Sequence, residues 1–405
     1  MKITAIRTFL MHAGQPDPSK WASDGHTSHI TQHKLEGTRN WLFLKIETDE
    51  GVTGIGECSG WPRVIETAIK DLAPLLIGED PAHIEKLWQK MAIAMMGHGM
   101  LGTVGAGAMT GIDMALWDIK GKALGVPVWM LLGGKVRDRI PIYSHANTPE
   151  RALAVKARGI KAIKCGGVSN PVRKVAALRE AVGDEIDIAI DLHGPPWMTP
   201  ADACRLVRAL EPYELLWVED PIAPDNVEGY RRIRDAAHIP LASGERTATI
   251  FGERQLIEQE LVDVIQPDTG RAGGITQMKK IAAMAEAHHI QMAPHSGSLG
   301  PVAEYAALHV LASIPNALIL ERIDDDWEGR PHTIVPHPVQ RDGFLTVPDA
   351  PGLGCDIDEE FVARFPSEGN LSVPVQESAN SYNPGTYGER LYVQTRLQRR
   401  TYFSA

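Results

Sequence analysis

The sequence predicts an α/β protein in which an N-terminal α+β capping domain precedes a parallel barrel of the (β/α)8 type. Three observations carry this prediction. The chain has 405 residues and is 43% hydrophobic, enough for one large core and a smaller partner domain. From about residue 138, short apolar strands alternate with amphipathic helices, as in βαβ units. The ends of these strands recur every 23 to 28 residues.

The capping domain is predicted to span residues 1–125. Residues 41–57, WLFLKIETDEGVTGIGE, indicate two strands around an Asp-Glu-Gly turn. Three helical patterns follow, in RVIETAIKDLAPLLIG, PAHIEKLWQKMAIAMM and GAGAMTGIDMALWDIKGKALG. Gly125 closes the last pattern and Pro127 lies just beyond it, which is typical of a helix end.

The barrel is predicted to span residues 126–350. IPIYSHAN supplies the first strand, and the seven later strands end on Lys164, Asp191, Glu219, Glu245, Asp268, His295 and Glu321. Each strand precedes a helix candidate such as PADACRLVRAL, and eight such units close into a barrel. Parallel barrels assemble active sites at the carboxyl ends of their strands, where these polar residues lie. A doubly wound open sheet is the main structural alternative.

Composition excludes several function classes. A net charge of −10 and a pI near 5.8 argue against a nucleic-acid partner or an anionic membrane surface. The four cysteines are far apart and form no C-x-x-C pair, so neither a disulfide framework nor a thiolate metal site is indicated. The N-terminus lacks a cleavable signal pattern and no 18-residue apolar span occurs, so we expect a cytoplasmic protein.

Three acids on consecutive strand ends form the predicted metal site. Asp191, Glu219 and Glu245 are expected to converge at one side of the barrel mouth, where their charges repel unless a cation neutralises them. All-oxygen ligation without Cys favours Mg²⁺, with Mn²⁺ as the other option. Surface or salt-bridged acids are the alternative interpretation.

Asp268 and His295 end adjacent strands and form the predicted general base, because a carboxylate can hold an imidazole in one tautomer and raise its basicity. A packed histidine bound to a loop is the alternative.

His193 lies two residues beyond Asp191 and therefore points to the same side of an extended strand. We predict that it donates a proton to a departing hydroxyl, or else that it only orients Asp191 or the substrate.

Lys164 and Glu321 complete the predicted mouth. Lys164 is placed to neutralise a substrate carboxylate or to lower the charge density around the metal site. Glu321 is predicted to donate a hydrogen bond to a substrate oxygen if neighbouring acids raise its pKa. A barrel-mouth salt bridge is the alternative for each. Together, the metal site and the base predict removal of the proton next to a substrate carboxylate.

These residues, in this order, resemble the enolase superfamily and in particular its mandelate racemase subgroup, whose superfamily uses a Lys or His base with Mg²⁺. The resemblance covers roughly residues 1–365 and includes ALWDIKGKALGVPVWMLLGGKVRD, QPDTGRAGG, APHSG and RDGFLTVPDAPGLG. It implies a cap over a modified (β/α)7β barrel. The eighth helix would then be displaced by residues 351–405 returning to the cap, with a contact to a neighbouring subunit as one use of this segment.

The resemblance also bears on the reaction. Many members of the subgroup carry Lys-x-Lys on the second strand, but residues 164–166 are Lys-Cys-Gly, and Gly166 cannot act as a second base. The DLHG motif resembles sugar-acid dehydratases of the galactonate dehydratase type. That likeness implies that His295 with Asp268 removes the C2 proton and that His193 assists loss of the C3 hydroxyl. The product would be a 2-keto-3-deoxy acid formed from an aldonate such as galactonate or gluconate.

Specificity is predicted to reside in a polar loop, residues about 15–39, that covers a small sugar-acid substrate. The predicted substrate contacts beyond the catalytic groups are Trp21, His26, His29, Trp61, Arg246, Trp327 and His332. We expect a homo-oligomer. A racemase or epimerase of a 2-hydroxy acid and a low-activity binding or regulatory relative are the alternatives.

Overall fold

The computed structural model describes residues 1–13, 39–95, 102–167, 170–192, 197–297, 299–323, 327–367 and 399. These residues form an antiparallel sheet with helices, followed by a parallel barrel. Across these ranges, no helix is both long enough and apolar enough to cross a membrane.

The N-terminal unit is a three-stranded sheet covered by helices. Its antiparallel strands are β1 (Ile3–Ala13), β2 (Arg39–Thr48) and β3 (Thr53–Cys58), in that spatial order. Its helices are α1 (Pro62–Leu76), α2 (Ile84–Met95) and α3 (Thr103–Leu124). The strands and helices share a core of side chains such as Leu44, Ile69, Leu87 and Ile112. This is the predicted α+β arrangement.

Two details of this unit test the sequence interpretation. Gly125 ends α3 with φ 70°, in the left-handed region that favours glycine, and this confirms the predicted helix end. Strand β1 was not predicted. Among its residues, Ile3, Met11 and Ala13 are buried and those between are not, so the strand lacks the regular alternation that identifies half-buried strands from sequence.

The second unit is a closed barrel of eight parallel strands. They are β4 (Arg139–His145), β5 (Ala162–Gly166), β6 (Asp187–Asp191), β7 (Trp217–Glu219), β8 (Leu241–Ser243), β9 (Val264–Ile265), β10 (Gln291–Met292) and β11 (Leu320–Glu321). Neighbours in the chain pair through β10, and β11 pairs in parallel with β4, while a bridge from Met292 to Ala317 joins the last two strands. Closure excludes the open sheet.

Helices follow the first seven strands. After the short α4 (Val128–Leu131), they are α5 (Pro149–Ala157), α6 (Pro171–Val182), α7 (Pro200–Leu210), α8 (Val227–Ala236), α9 (Thr249–Glu258), α10 (Gly274–Ala287) and α11 (Pro301–Ala312). Most of these helices begin with residues that favour a helix N-terminus. Thr148 and Thr199, for example, each accept a backbone N–H of the first turn, and a proline follows each of them.

The eighth unit differs from the one predicted from the residues alone. In the described chain after β11, a 3₁₀ helix (Arg330–His332) and the short strands β12 (Ile334–Val335), β13 (Gln340–Arg341) and β14 (Phe344–Thr346) take the place of a barrel helix. Strand β14 pairs antiparallel with β4. The expected eighth helix is therefore wrong, and the (β/α)7β form implied by the resemblance is correct.

The chain then returns to the N-terminal unit. Strand β15 (Asp356–Ile357) pairs with β12, and the short helix α12 (Glu359–Val362) follows. Arg7 of β1 binds Glu359 at 2.8 Å, and Lys45 of β2 binds the same carboxylate at 2.8 Å. The backbone of Ser367 donates to Leu10 at 3.1 Å. These contacts fasten residues 356–367 to the capping sheet.

Side chains along each barrel strand point alternately outward and inward, and this explains why apolar strands end in polar residues. Ile163, Ile190 and Val218 point outward into the large core beneath the helices. Ala162, Ala189 and Trp217 point inward and fill the barrel together with Tyr143, whose ring meets that of Trp217 at 5.4 Å. Two residues further along each strand the inward positions are polar. The same alternation that buries the strands therefore aims their last side chains at the barrel mouth.

Candidate active site

Lys164 lies at the centre of the acids at the barrel mouth. Its Nζ is 2.8 Å from Glu219 Oε1, 2.8 Å from Glu321 Oε1 and 3.6 Å from Asp191 Oδ2, and its side chain is 2% exposed. Asp191 and Glu219 are register partners on β6 and β7. One buried ammonium thus draws together carboxylates from three strands, and the sequence-predicted role of lowering the charge density is the one that this geometry supports.

Glu219 is the most constrained of these acids. Its Oε2 accepts hydrogen bonds from Trp217 Nε1 at 3.1 Å and from Gln266 Nε2 at 3.0 Å. Burial and the charge of Asp191 raise the pKa of Glu219 to about 8, although Lys164 opposes the shift. Burial is the first cause of the raised pKa and repulsion from Asp191 the second, and Lys164 offsets only part of the two.

Glu245 follows β8 and lies among cations. Its carboxylate is 2.5 Å from Arg246 Nη1 and 2.7 Å from His295 Nε2, and Arg271 Nη2 lies 3.7 Å away. Burial opposes ionisation, but His295 and the two arginines hold the pKa of Glu245 well below its usual range. Asp220 also binds Arg246, so the guanidinium is fixed between two acids.

The donor set at the mouth fits a hard divalent cation. Asp191, Glu219 and Glu245 offer only carboxylate oxygens, which Mg²⁺ prefers, and a bound cation would favour the ionised form of Glu219, which burial and the charge of Asp191 disfavour. Within the described residues, no group of three or more His, Cys, Asp or Glu side chains surrounds a common metal position. Lys164 and Arg246 contact the acids instead, and joint ligation by the three carboxylates stays a prediction.

His295 and Asp268 form a hydrogen-bonded pair. A parallel bridge joins the two residues, and Nδ1 of His295 lies 2.5 Å from Asp268 Oδ2. Burial disfavours the charged ring, but the charges of Glu245 and Glu321 and the bond to Asp268 raise the pKa of His295 well above its usual value. Asp268 fixes Nδ1 as a donor, which leaves Nε2 as the ring atom for proton transfer, and in this structure Nε2 lies 2.7 Å from Glu245 Oε2.

Glu321 is held as a hydrogen-bond acceptor. Oε2 accepts the backbone N–H groups of Ser296 and Gly297, each at 2.8 Å, while Oε1 faces Lys164 and lies 2.5 Å from His145 Nε2. Burial opposes ionisation, yet Lys164, His295 and His145 hold its pKa well below the usual range. These neighbours favour the ionised form of Glu321, whereas the predicted donor role requires its protonated form, and that role stays a prediction.

Other predicted contacts occupy different surroundings. Trp327 is 7% exposed and packs at 6.0 Å from Trp41 and 5.0 Å from Phe365, in an aromatic cluster at the cap. His332 packs 5.5 Å from Phe361 beside that cluster. The structure therefore gives these two residues packing contacts. Trp61 is 43% exposed, on the capping unit. His193, Trp21, His26 and His29 lie outside the described residues.

Three residues of the site were missed from sequence. His145 is the last residue of β4, and its side chain contacts Glu321. Its position at the end of the apolar strand in IPIYSHAN could have identified it as a site residue. Arg271 Nη2 lies 3.6 Å from Asp268, three residues away, inside QPDTGR. Ser59 donates its hydroxyl to Asp268 at 2.7 Å from the capping unit. No local pattern identifies Ser59, because the contact spans 209 residues.

Comparison with known proteins agrees with this geometry. Residues 148–361 match the family described as Enolase C-terminal domain-like, and residues 22–133 match the mandelate racemase / muconate lactonizing enzyme N-terminal domain. The chain belongs to the mandelate racemase / muconate lactonizing enzyme family. Its position in the enolase superfamily, which the resemblance implied, is thereby confirmed.

Named members of this family cover most of the chain. A D-galactonate dehydratase of Variovorax paradoxus (strain S110) is 40% identical over 358 residues, 82% of this chain and 92% of that protein. A D-galactonate dehydratase of Ralstonia pickettii (strain 12J) is 39% identical over 84% of this chain and 94% of that protein.

Solved structures give the same fold. An enolase from Pantoea ananatis with bound d-gluconate and Mg is 32% identical, with a TM-score of 0.78 over 91% of this chain and 95% of that one. The 3,6-anhydro-D-galactonate cycloisomerase from Zobellia galactanivorans is 31% identical, with a TM-score of 0.79 over 90% and 99% of the two chains.

Proposed function

We propose that this protein is a Mg²⁺-dependent dehydratase of a monocarboxylic sugar acid, an aldonate such as galactonate or gluconate. The observation that carries the proposal is the buried His295–Asp268 pair, with Nδ1 and Oδ2 2.5 Å apart, beside the acids at the barrel mouth. The dehydratase names of the relatives and the gluconate in a similar structure support the substrate class.

The residues divide the reaction between them. His295, held through Nδ1 by Asp268, takes the C2 proton on Nε2. Lys164 offsets the negative charge that develops on the substrate carboxylate during the reaction. It also offsets the charge of the acids that surround it. His193 gives a proton to the departing C3 hydroxyl. Removal of the C2 proton and of the C3 hydroxyl, which leaves as water with the proton from His193, gives an enol. Tautomerisation of the enol, which moves its hydroxyl proton to C3 by way of solvent, yields the 2-keto-3-deoxy acid.

Asp191, Glu219 and Glu245 hold the cation in this proposal. When bound, Mg²⁺ supplies polarisation of the substrate carboxylate, which makes the neighbouring proton more acidic. Charge at the mouth otherwise comes from the chain itself, since His295, Arg246 and Arg271 hold the pKa of Glu245 well below its usual range. A homo-oligomer, a cytoplasmic location and the domain limits at 125/126 and 350/351 stay predictions.

The proposal is tested with a panel of aldonates and aldarates, with and without Mg²⁺, and with detection of 2-keto-acid by semicarbazide. We expect Mg²⁺-dependent keto-acid from one or a few aldonates. His295→Asn should abolish C2 exchange and dehydration, His193→Asn should abolish dehydration while exchange persists, and the exposed control His238→Asn should resemble wild type. General acid–base groups contribute about 10²- to 10⁴-fold, so each catalytic loss is measurable.

Two outcomes would overturn the proposal. Solvent deuterium entering unreacted substrate without any keto-acid would identify a racemase or epimerase, although Gly166 offers no second base. Silence across the whole panel would favour a binding or regulatory protein. Full dehydration by His193→Asn would remove only that residue from the mechanism.

A further inference from the structure

We propose that Ser59, supplied by the capping unit, is a positioning residue for the general base of the barrel. Its hydroxyl fixes the orientation of the Asp268 carboxylate, and through it the imidazole of His295. This inference deepens the proposed function and rests on it for its catalytic consequence, while its geometric content is independent of any substrate.

The two carboxylate oxygens of Asp268 bind different partners. Oδ2 faces His295 Nδ1 at 2.5 Å, while Oδ1 accepts the Ser59 hydroxyl at 2.7 Å and the Gly270 N–H at 2.9 Å. Asp268 is fully buried and Ser59 is 6% exposed. Rotation of the carboxylate would break the bonds on Oδ1 together with the bond to His295. Ser59 therefore contributes one of the two donors to Oδ1, which set the plane of the carboxylate together with His295 on Oδ2.

The approach of the capping unit is too close to be incidental. The backbone N–H of Ser59 donates to the Gly270 carbonyl at 2.8 Å, beside the side-chain bond. A Cβ added to Gly270 would lie 2.7 Å from Ser59 Cβ, so only glycine lets the two segments meet. Backbone and side chain of one residue thus both bind the turn that carries Asp268.

The segment that bears Ser59 is itself fixed to the barrel. Glu57, two residues earlier on β3, accepts the backbone N–H of Gly300 at 2.5 Å and that of Ala303 at 2.9 Å, at the start of α11. Helix α11 follows the strand end that carries His295. Glu57 therefore holds the start of α11, five residues beyond His295, and Ser59 binds Asp268 itself. The capping unit thus reaches the general base directly through Ser59.

The activity test compares two buried cap hydroxyls. Thr110 of α3 also crosses to the barrel, since its Oγ1 accepts the Gly273 N–H at 2.8 Å, but it has no contact with Asp268 in the hydrogen bonds described. Thr110→Val is the matched control for Ser59→Ala. Loss of an outer partner of a catalytic residue typically costs 10- to 100-fold, and we expect about a tenfold lower kcat for Ser59→Ala.

The kinetic isotope effect distinguishes a residue that positions the general base from one that only docks the capping unit on the barrel. With C2-deuterated substrate, Ser59→Ala should show a larger kinetic isotope effect than wild type, and KM within about twofold, because proton removal alone is slowed. Thr110→Val should keep the wild-type isotope effect. Equal changes in the two variants would overturn the proposal. If Ser59→Ala does not fold, Ser59→Cys, a weaker donor of similar size, replaces it.

A second measurement needs no turnover. In protein labelled with ¹⁵N-histidine, the Nδ1–H resonance of His295, assigned by its loss in His295→Asn, should be far downfield because the bond to Asp268 is short. It should shift or broaden in Ser59→Ala and stay in place in Thr110→Val. An unchanged resonance would overturn the inference. A shifted resonance in a protein that dehydrates no aldonate would overturn the proposed function alone.

Discussion

Two sets of buried carboxylates solve the same electrostatic problem in different ways. Glu57 and Asp113, the docking acids, join the capping unit to the barrel and are 0% exposed. Glu245 and Glu321, the mouth acids, lie at the carboxyl ends of barrel strands and are 7% and 0% exposed. A buried ionised carboxylate costs free energy unless hydrogen bonds or opposite charges compensate it.

The docking acids are compensated by hydrogen bonds at helix starts. Asp113 of α3 accepts the Thr276 N–H at 3.0 Å and the Thr276 hydroxyl at 2.6 Å in the first turn of α10, as Glu57 does at α11. The partial positive charge of a helix start favours such contacts. Burial nevertheless dominates and raises the pKa of each docking acid to about 7.

The mouth acids are compensated mainly by charged side chains. Lys164 and His295 lie around Glu321, which is also in hydrogen-bond contact with His145, and His295, Arg246 and Arg271 lie around Glu245. The pKa of each mouth acid is therefore held well below its usual range. At the docking acids, backbone N–H groups and the Thr276 hydroxyl provide the compensation, and these donors are fixed by the fold. At the mouth, side-chain cations carry it, so a metal or a substrate can take over part of it.

The largest expected effect follows from removing the shared ammonium. Lys164→Met leaves Asp191, Glu219 and Glu321 without their common partner. Breaking a buried ion pair from one side costs roughly 3–5 kcal/mol. We expect a loss of this size in the free energy of unfolding by urea at pH 8 without divalent metal, and a larger stabilisation by added Mg²⁺ than in wild type.

The control for this change is Lys135→Met, which removes an ammonium from the exposed acids Asp138 and Asp349. Surface pairs contribute about 0–1 kcal/mol, so its loss should be small. Equal losses in the two variants would show that the mouth cluster is not a site of special charge density.

An intermediate effect is expected in the pH dependence of a docking acid. The pKa of Glu57 is about 7 in the folded protein and 4.5 ordinarily, so the folded state retains a proton that the unfolded chain releases in this window. Its stabilising contribution is complete below pH 4.5 and is lost as the pH rises through 7, by about 3 kcal/mol. Glu57→Gln should remove that decline.

Urea unfolding at pH 5 and pH 8 measures the difference. Glu57→Gln loses one N–H acceptor, so it should be about 1 kcal/mol less stable than wild type at pH 5 and more stable at pH 8. The exposed control Glu228→Gln should follow wild type within about 0.5 kcal/mol at both values. A constant offset of Glu57→Gln at the two pH values would contradict the raised pKa.

The smallest effect on stability is expected at His145, whose side chain is 37% exposed. His145→Ala leaves Glu321 with Lys164 and two backbone N–H donors, so unfolding should change by less than about 1 kcal/mol. Because the lost bond involves a charged group at the mouth, kcat/KM should fall about tenfold. His238→Ala is the exposed control. Wild-type kcat/KM in His145→Ala would assign this residue to the rim of the site only.

Many residues at the barrel mouth were predictable because every strand of a parallel barrel ends at the same edge. The strand ends therefore recur at regular intervals in the sequence. Lys164, Asp191 and Glu219 lie two residues beyond inward-facing side chains, as the spacing predicted. The role of Glu321 was not predictable. Whether a carboxyl is protonated depends on the charges around it, and the sequence does not show that Lys164 and His145 both reach that carboxylate.

By itself, the sequence determined the order of strands and helices, the acids and histidines that end the strands, and the glycine that closes α3. These follow from local periodicity and from conformational preferences that neighbouring residues decide. The tertiary structure alone decided which short strands stand in place of the eighth helix, which side chains surround Glu321 and the contact of Ser59 with Asp268. Each of these depends on groups distant in the chain, whose burial and charge act only once folding has brought them together.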